Sequence, residues 1–260
     1  MGKVWVKTRY DNDMQWDIPH SVNIATAMMG FRELGATLVP YHTIDEIYDA
    51  VSADDIVLDY IQQCGEIFAK FGVYPSIPDY PAVMKPFLGR KIWKDTMNHI
   101  ASDETLWSAG NFVKPVESKV FTGKCIRSIT DLVGCGNSEA DVEVFVSEPL
   151  DIVAEWRGFI RYDTLIDVRP YGSIAHLAYE GYRYHYDMAT LDAMMAAFRQ
   201  WDARPAACSL DICVTKEGRT LLVEMNDAYA LGCYGLPALL YARFISARWS
   251  ELLARVDCYR

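Results

Sequence analysis

Apolar positions in the first third of the chain recur with two different periods. Short aliphatic runs at 4–6 and 56–58 predict strands. The longer segments between them carry helix-start signals, since Ser21 can cap a helix that stops at Gly35 and a capping box spans 43–46. Strands that alternate with helices predict a small α/β unit built on a mostly parallel sheet.

A proline-rich stretch separates this unit from the rest of the chain. Residues 74–81 hold three prolines, which predict a stiff linker and a domain boundary. The chain therefore divides into a small α/β domain at 1–80 and a larger α+β domain at 81–260. In the larger domain the predicted strands are 112–114, 142–146, 152–162 and 165–168, and the predicted helices are about 90–101, 188–201 and 237–256.

The segment 208–226 predicts a β-hairpin, because two runs of β-branched and aliphatic residues flank a turn that contains Glu-Gly. In the simplest register Asp211 faces Glu224 and Ser209 faces Asn226, and strand alternation places all four on one face. The other face is predicted to carry the apolar residues Leu210, Ile212, Val214, Leu221, Val223 and Met225.

The polar face of this hairpin is a candidate metal site. Asp211 and Glu224 carry like charges, which destabilise a sheet when they lie directly opposite each other, so a cation is expected between them. Two carboxylates and the amide oxygen of Asn226 are hard oxygen donors that suit Mg²⁺. A solvated hairpin with acidic residues on its wet face is the alternative, and it is the more common outcome for an isolated pair.

Composition narrows the class of protein. The 260 residues are 51% hydrophobic, which suffices for one or two domains with sizeable cores. There is no run of 18 apolar residues and no apolar signal core, so neither a membrane span nor a secretory leader is expected. The seven cysteines form no C-x-x-C pair, which disfavours a zinc site or a disulfide framework and predicts a reducing, cytoplasmic location.

The formal net charge of −10 disfavours non-specific nucleic-acid binding, which depends on basic surface. A small anionic ligand is still compatible with it, because basic residues concentrate at Lys114, Lys119, Lys124 and Arg127. A strand lysine such as Lys114 ordinarily faces solvent. The turn-rich segment that follows it holds two more lysines, and fixed cations of this kind stabilise transferring phosphoryl groups.

Two further predicted strands carry candidate site residues. The backbone of the strand at 142–146 is expected to be exposed and able to hydrogen-bond an adenine edge. In the strand at 152–162, Glu155 and Arg157 share one face by period-two alternation. An ordinary cross-strand ion pair, worth roughly a few tenths of a kcal/mol, is the alternative for these two residues.

Taken in chain order, these motifs resemble the ATP-grasp superfamily, chiefly its carboxylate–amine ligases. The resemblance rests on Phe112-Val-Lys-Pro115, the loop 117–124, the strand 143–146, Glu155-Trp-Arg157, Asp211 and Glu224-Met-Asn226, and it covers about 90–235. It implies an α+β, ATP-grasp fold of two α+β subdomains preceded by a small α/β domain.

The resemblance also implies roles for residues. ATP would contact Lys114, Lys119, Lys124, Glu143, Val144, Val146 and Glu155. Mg²⁺ would be held by Asp211, Glu224 and Asn226. The catalytic residues would be Lys114, Arg157 and Arg169, with one of the two arginines holding an acyl phosphate.

The implied activity is an ATP- and Mg²⁺-dependent ligase that joins a small-molecule or peptide carboxylate to an amine through an acyl phosphate, with an oligomer possible. One departure from the family pattern is the loop over the phosphates, which keeps only Gly123 where the family is usually glycine-rich. An ATP-binding sensor or partner-binding module without turnover, and an ATP-grasp kinase, are therefore alternatives.

Two remaining segments have open interpretations. The loop 232–235 follows the hairpin closely and could touch substrate, with Cys233 either reactive or simply a small buried thiol. The tyrosine-rich segment 179–186 could form an aromatic acceptor pocket, or it could be an edge strand with packed aromatic residues.

Overall fold

A computed structural model describes residues 2–10, 17–76, 78–117, 120–136, 141–171 and 183–260 of the protein. These residues build three four-stranded sheets with helices packed against them. Within the described part of the chain, no helix is both long and apolar enough to cross a membrane.

The first sheet belongs to the N-terminal unit. Its central strand β1 (Lys3–Tyr10) is antiparallel to the short β2 (Asp17–Pro19) and parallel to β3 (Thr37–Tyr41) and β4 (Ile56–Leu58). The helices are α1 (Val22–Glu33), α2 (Ile44–Ile47) and α3 (Ile61–Lys70). As the sequence predicts, the Ser21 hydroxyl accepts a hydrogen bond from the Ile24 N–H, at 3.3 Å, and so caps α1.

The second sheet follows the proline-rich stretch and a 3₁₀ helix, Ala82–Phe87. Its strands are β5 (Ile92–Thr96), β6 (Phe112–Pro115), β7 (Lys124–Cys125) and β8 (Glu143–Ser147), in the spatial order β5-β8-β6-β7 and all antiparallel. Helices α4 (Met97–Ser102) and α5 (Glu104–Ser108) and the 3₁₀ helix Ile129–Leu132 complete this unit. Val113, Val144 and Val146 point to its core.

The predicted helix at 90–101 is wrong for its first half. Residues 92–96 are instead strand β5, which pairs with β8 from Ile92 opposite Ser147 to Thr96 opposite Glu143. The helix begins only after Thr96, whose hydroxyl accepts a hydrogen bond from the His99 N–H at 3.3 Å. A cap at this position stops the strand and starts the helix, and sheet pairing outweighs the local helical pattern.

The third sheet has the order β10 (Thr164–Tyr171), β9 (Ile152–Arg161), β11 (Ala207–Thr215), β12 (Thr220–Asp227), and it is antiparallel throughout. Helix α6 (Met188–Arg199) buries Leu191, Met195 and Phe198 against one face of this sheet. The opposite face carries the polar row described below.

The last helix, α7 (Ala238–Leu252), joins the N-terminal unit to the third sheet. The rings of Phe68 on α3 and Trp249 on α7 lie with their centroids 4.3 Å apart, and Phe159 on β9 packs edge-to-face on Phe244 at 5.3 Å. One continuous apolar core therefore includes residues from both ends of the chain. The boundary between 80 and 81 stays a prediction.

Candidate active site

The hairpin of β11 and β12 has the predicted register at its open end. Asp211 lies opposite Glu224, and Ser209 lies opposite Asn226. Beyond Asp211 the register shifts by one residue, so that Ile212 pairs with Leu222. The shift is a β-bulge, and it turns the following side chains to the opposite faces.

The bulge corrects the predicted apolar face of β12. Leu222 packs in the core beside Ile212, whereas the predicted Leu221 and Val223 lie on the other side of the strand. Val223 consequently lines the cavity of the site. Arg90 holds this irregularity in place, because its guanidinium donates hydrogen bonds to the carbonyls of Leu222 and Val223, both at 2.8 Å.

Four charged residues form one row across the third sheet. The strand registers place Arg169 beside Arg157, Arg157 beside Asp211, and Asp211 beside Glu224. The Arg157 guanidinium donates to both carboxylate oxygens of Asp211, at 2.8 and 2.6 Å, and both residues are buried. Arg169 is more exposed and pairs with Asp167 on its own strand at 2.6 Å.

Burial of Arg157 opposes its charged form. The hydrogen bonds and the negative charge of Asp211 outweigh that effect and raise the pKa of the guanidinium. The two aromatic rings of Tyr171 and Tyr234 lie 4.7 and 4.5 Å from the Arg157 carbon centre, and they stack on each other at 5.0 Å. Arg157 is thus a fixed cation at one end of the acidic pair.

A second cation, Lys114, approaches the acidic pair from the other sheet. Its ammonium group donates to Glu224 Oε2 at 2.7 Å and also contacts the carboxylate of Asp79. It lies over the rings of Tyr80 and Phe145, 4.9 and 5.7 Å from their centroids. Burial opposes the charge, but Glu224 and the neighbouring groups raise the pKa of Lys114 above its ordinary value. Strand β6 of the second sheet therefore meets β12 of the third.

Asn226 completes the arrangement around the two carboxylates. Its amide donates to Asp211 Oδ2 and to Glu224 Oε1, at 3.0 Å each. The expected positive charge beside the acidic pair is supplied by Arg157 and Lys114 in this structure. Among the described residues there is no cluster of three or more His, Cys, Asp or Glu side chains arranged for a metal.

The donor set of Asp211, Glu224 and Asn226 nevertheless fits Mg²⁺. The Asn226 amide contacts both carboxylates, and rotating it about its terminal bond would present its oxygen to the same point. Mg²⁺ commonly uses only one or two protein carboxylates and fills its other positions with water and phosphate oxygens. The metal role of these three residues stays a prediction.

A cavity of about 370 Å³ opens between the second and third sheets beside these charges. Phe112, Ser147 and Glu148 line it from one side, and Ile152 and Glu155 line it from the other. Burial, followed by the charges of Asp211 and Glu224, raises the pKa of the Glu155 carboxyl to about 7. The cavity is thus bounded by acidic groups at one end and by apolar side chains along its walls.

The structure places several predicted nucleotide residues elsewhere. Both edges of β8 are occupied, by β5 and β6, so the expected exposed backbone at 143–146 is wrong. Val144 and Val146 point into the core, and Glu143 is exposed at the strand start. The free backbone nearest the cavity comes after the strand, at Glu148 and Leu150.

Lys124 does not join Lys114. It lies opposite Val113 in the β6–β7 pair, so its side chain leaves from the other face of the sheet and its ammonium donates to the Val133 carbonyl at 3.1 Å. Lys119 lies outside the described residues, as do residues 179–182 of the tyrosine-rich segment.

Sequence reasoning missed Asp79, Tyr80, Phe145, Ser147, Arg90 and Tyr171. Alternation along 142–146 could have identified Phe145 and Ser147, because Val144 and Val146 are the core positions. No local signal marks Asp79, which lies in the proline-rich stretch. The loop 232–235 does reach the site, since Tyr234 contacts Arg157, and Cys233 is a buried thiol.

Comparison with known proteins supplies the family context. A family model described as an ATP-grasp domain, the second family of its clade, matches residues 87–244. No curated protein matches the chain by sequence.

Among solved structures, D-alanine–D-alanine ligase from Bacillus anthracis complexed with ATP matches with a TM-score of 0.54 and 13% identity, covering 99% of both chains. D-cycloserine synthetase DcsG matches with a TM-score of 0.51 and 13% identity, over 96% of this chain and 100% of that one. N5-carboxyaminoimidazole synthase from Aspergillus clavatus, in complex with ADP, gives 0.53 and 8% identity over 98% and 77%. At these identities the likeness shows the fold alone.

Proposed function

Because the chain belongs to the ATP-grasp domain family whose model it matches, we propose that it is an ATP- and Mg²⁺-dependent ligase. It would join a carboxylate to an amine and release ADP and phosphate. One observation carries the proposal: Lys114 of one sheet meets Asp211, Glu224 and Asn226 of another at the end of a cavity.

The cavity supports nucleotide binding by its size and its lining. Its volume of about 370 Å³ lies within the range of small-molecule pockets. Ile152, Trp156 and Leu150 offer apolar surface for a purine ring, and the segment after β8 offers backbone groups for its edge. The base would then lie away from the charges and the phosphates beside them.

The charged end supports phosphoryl transfer. Lys114 would turn one N–H from Glu224 towards the phosphates, and Arg157 with Arg169 would hold the anionic group that receives the phosphoryl group. Mg²⁺ held by Asp211, Glu224 and Asn226 would neutralise charge on the triphosphate. These cations are needed because the attacking carboxylate and the phosphates are both negative.

The proposed reaction has two steps. A carboxylate oxygen attacks the γ-phosphorus, the bond to the β,γ-bridging oxygen breaks, and ADP leaves. The amine nitrogen then attacks the acyl carbon, the bond to the phosphate oxygen breaks, and the nitrogen loses a proton as inorganic phosphate departs. Amino acids and short peptides are the first substrates to test, since D-alanine–D-alanine ligase is one of the structurally similar proteins.

An ATP-binding module without turnover is the second candidate. Its support is the glycine-poor segment after Lys114 and the complete pairing of Arg157 with Asp211. A kinase-like enzyme that stops at the first step is a further variant. We place all three in the cytoplasm, because the seven cysteines, all within the described residues, are free thiols.

Product analysis separates these outcomes. The protein is incubated with ATP, Mg²⁺ and pools of amino acids or short peptides, and the nucleotides are resolved by chromatography. The ligase predicts ADP and inorganic phosphate, together and only with an amine acceptor present. A kinase would give ADP with the phosphate retained on the product, AMP with pyrophosphate would refute the acyl-phosphate mechanism, and bound but unconverted ATP would favour the binding module.

A further inference from the structure

Asp79 lies outside the sheet that carries the acidic pair, yet it contacts the central cation of the site. It belongs to the proline-rich stretch that joins the N-terminal unit to the rest of the chain. Its carboxylate pairs with the Lys114 ammonium, and only 6% of its surface is exposed. Lys114 is therefore shared between two carboxylates, those of Asp79 and Glu224.

The backbone of Asp79 is fixed to the hairpin. Its N–H donates to the Met225 carbonyl and its carbonyl accepts from the Met225 N–H, both at 3.0 Å, as in an antiparallel strand pair. Met225 stands between Glu224 and Asn226. The linker residue is thus bound to the same segment of β12 that carries two of the proposed metal ligands.

Asp79 adopts a backbone conformation that is held by these contacts. Its φ of +47° lies in the left-handed region, which aspartate and asparagine tolerate better than other residues with side chains. Such conformations persist where the surrounding structure determines them, and they are frequent at functional sites. The two backbone hydrogen bonds supply that determination here.

The two partners of Lys114 differ in what they can do when a nucleotide binds. Under the proposed function Glu224 is needed by Mg²⁺ and must release the ammonium. Asp79 is not among the proposed metal ligands, and its backbone cannot leave Met225 without breaking two hydrogen bonds. Asp79 can therefore keep Lys114 in place while Glu224 changes partner.

We infer that Asp79 is a positioning residue for Lys114: it holds the ammonium over Tyr80 and Phe145, clear of Glu224, so that the lysine addresses phosphate while Glu224 addresses the metal. This inference rests on the proposed function. Without Asp79, the ammonium would have Glu224 as its one remaining carboxylate among the described contacts and would compete with Mg²⁺ for it.

Asp79→Asn tests the inference with little disturbance, because asparagine keeps the shape and also tolerates the left-handed backbone. Binding of AMP-PNP with Mg²⁺ is measured by calorimetry for the wild type, Asp79→Asn, Lys114→Met and the double variant. Asp202→Asn, an exposed change of the same charge far from the cavity lining, is the matched control. Lys114→Gln, which keeps a donor for Asp79, replaces Lys114→Met if that variant does not fold.

The expected result is about tenfold weaker binding for Asp79→Asn, a rise of similar size in the half-saturating Mg²⁺ concentration, and less than a twofold effect once Lys114 is absent. An undiminished effect without Lys114 would show a merely structural role and overturn the inference. Unchanged or tighter binding in Asp79→Asn would also overturn it. A wild type that binds no nucleotide would instead refute the proposed function, and the inference with it.

Discussion

At the scale of single residues, the site is defined by which charges are paired and which are not. Arg157 and Lys114 each contact a carboxylate of the acidic pair. Glu155 faces the same cavity without such a partner among the described side chains, and its pKa is raised to about 7. This difference makes Glu155 the residue through which stability should depend on pH.

Glu155→Gln is expected to stabilise the protein at pH 8 and to have little effect at pH 4. The carboxyl titrates near 4.5 in the unfolded chain and near 7 in the fold, so between these values the folded state binds more protons. Stability is therefore lost as pH rises through this window, and the loss is complete above pH 7. Allowing for partial exposure, the gain in the variant should be about 1–2 kcal/mol at pH 8.

Urea unfolding at both pH values measures this difference, with the exposed Glu66→Gln as a control for the change in net charge. An equal gain at pH 4 and pH 8 would mean that the effect does not come from titration of Glu155.

Glu224→Gln is expected to abolish turnover while leaving the fold intact. The amide removes one charge and little volume, and Lys114 keeps its contact with Asp79, so the stability loss should be about 1 kcal/mol or less. Lys114→Met should also lower ATP turnover, with a larger stability cost because it leaves Asp79 buried without a cation. ADP release is measured beside urea unfolding, and near-normal turnover in either variant would remove that residue from the mechanism.

At the scale of elements, the bulge in β12 decides what the site contains. Without the register shift after Asp211, Leu222 would face the cavity and Val223 the core. Arg90 donates to the carbonyls at 222 and 223 and, at 3.1 Å, to Leu88. A residue before the second sheet thus supports a backbone irregularity in the third.

Arg90→Met is expected to destabilise the protein by about 2 kcal/mol, since three carbonyls lose charge-assisted hydrogen bonds. It should also weaken nucleotide binding, because Val223 lines the cavity. Thermal unfolding and an ATP titration measure the two effects, with Arg127→Met at an exposed position as the control. A variant as stable as the wild type would show that the bulge does not depend on Arg90.

The sequence predicts the hairpin but not its bulge, for a physical reason. Polar and apolar residues alternate from 209 to 211 and from 224 to 226, which fixes the register at the open end. Leu221, Leu222 and Val223 are all apolar, so alternation cannot say which of them faces the core. Lys124 is misplaced for a related reason, because a lysine count along a loop does not tell which face each side chain takes.

At the scale of the whole molecule, charges from two sheets must be brought together for the site to exist. Lys114 belongs to one sheet, Arg157 and the acidic pair belong to another, and Asp79 comes from the linker. No stretch of sequence contains this arrangement. The order of motifs identified it only through resemblance to a family, whereas the strands and helices themselves followed from periodicity.

ATP is expected to stabilise the protein more strongly with Mg²⁺ than with a chelator. Without the metal, the triphosphate would lie beside Asp211 and Glu224 with only two cations to offset their charge. Saturation at 100 times the dissociation constant stabilises by about 2.7 kcal/mol, which is a shift of a few degrees for a protein of this size. Thermal-shift titration measures it, and equal stabilisation in chelator would count against the metal assignment.

The core shared between α7 and the N-terminal unit has a consequence for how the chain acquires its structure during synthesis. Phe31 and Phe68 belong to the part that leaves the ribosome first, but Phe244 and Trp249, in the same core, are made last. The N-terminal unit therefore has to wait, partly uncovered, until nearly the whole chain has been translated. Contacts between such distant segments form slowly, and apolar surface left open in the meantime favours aggregation. Nascent chains that end before residue 238 should accordingly depend on chaperones, although they already contain every residue proposed to bind nucleotide or metal.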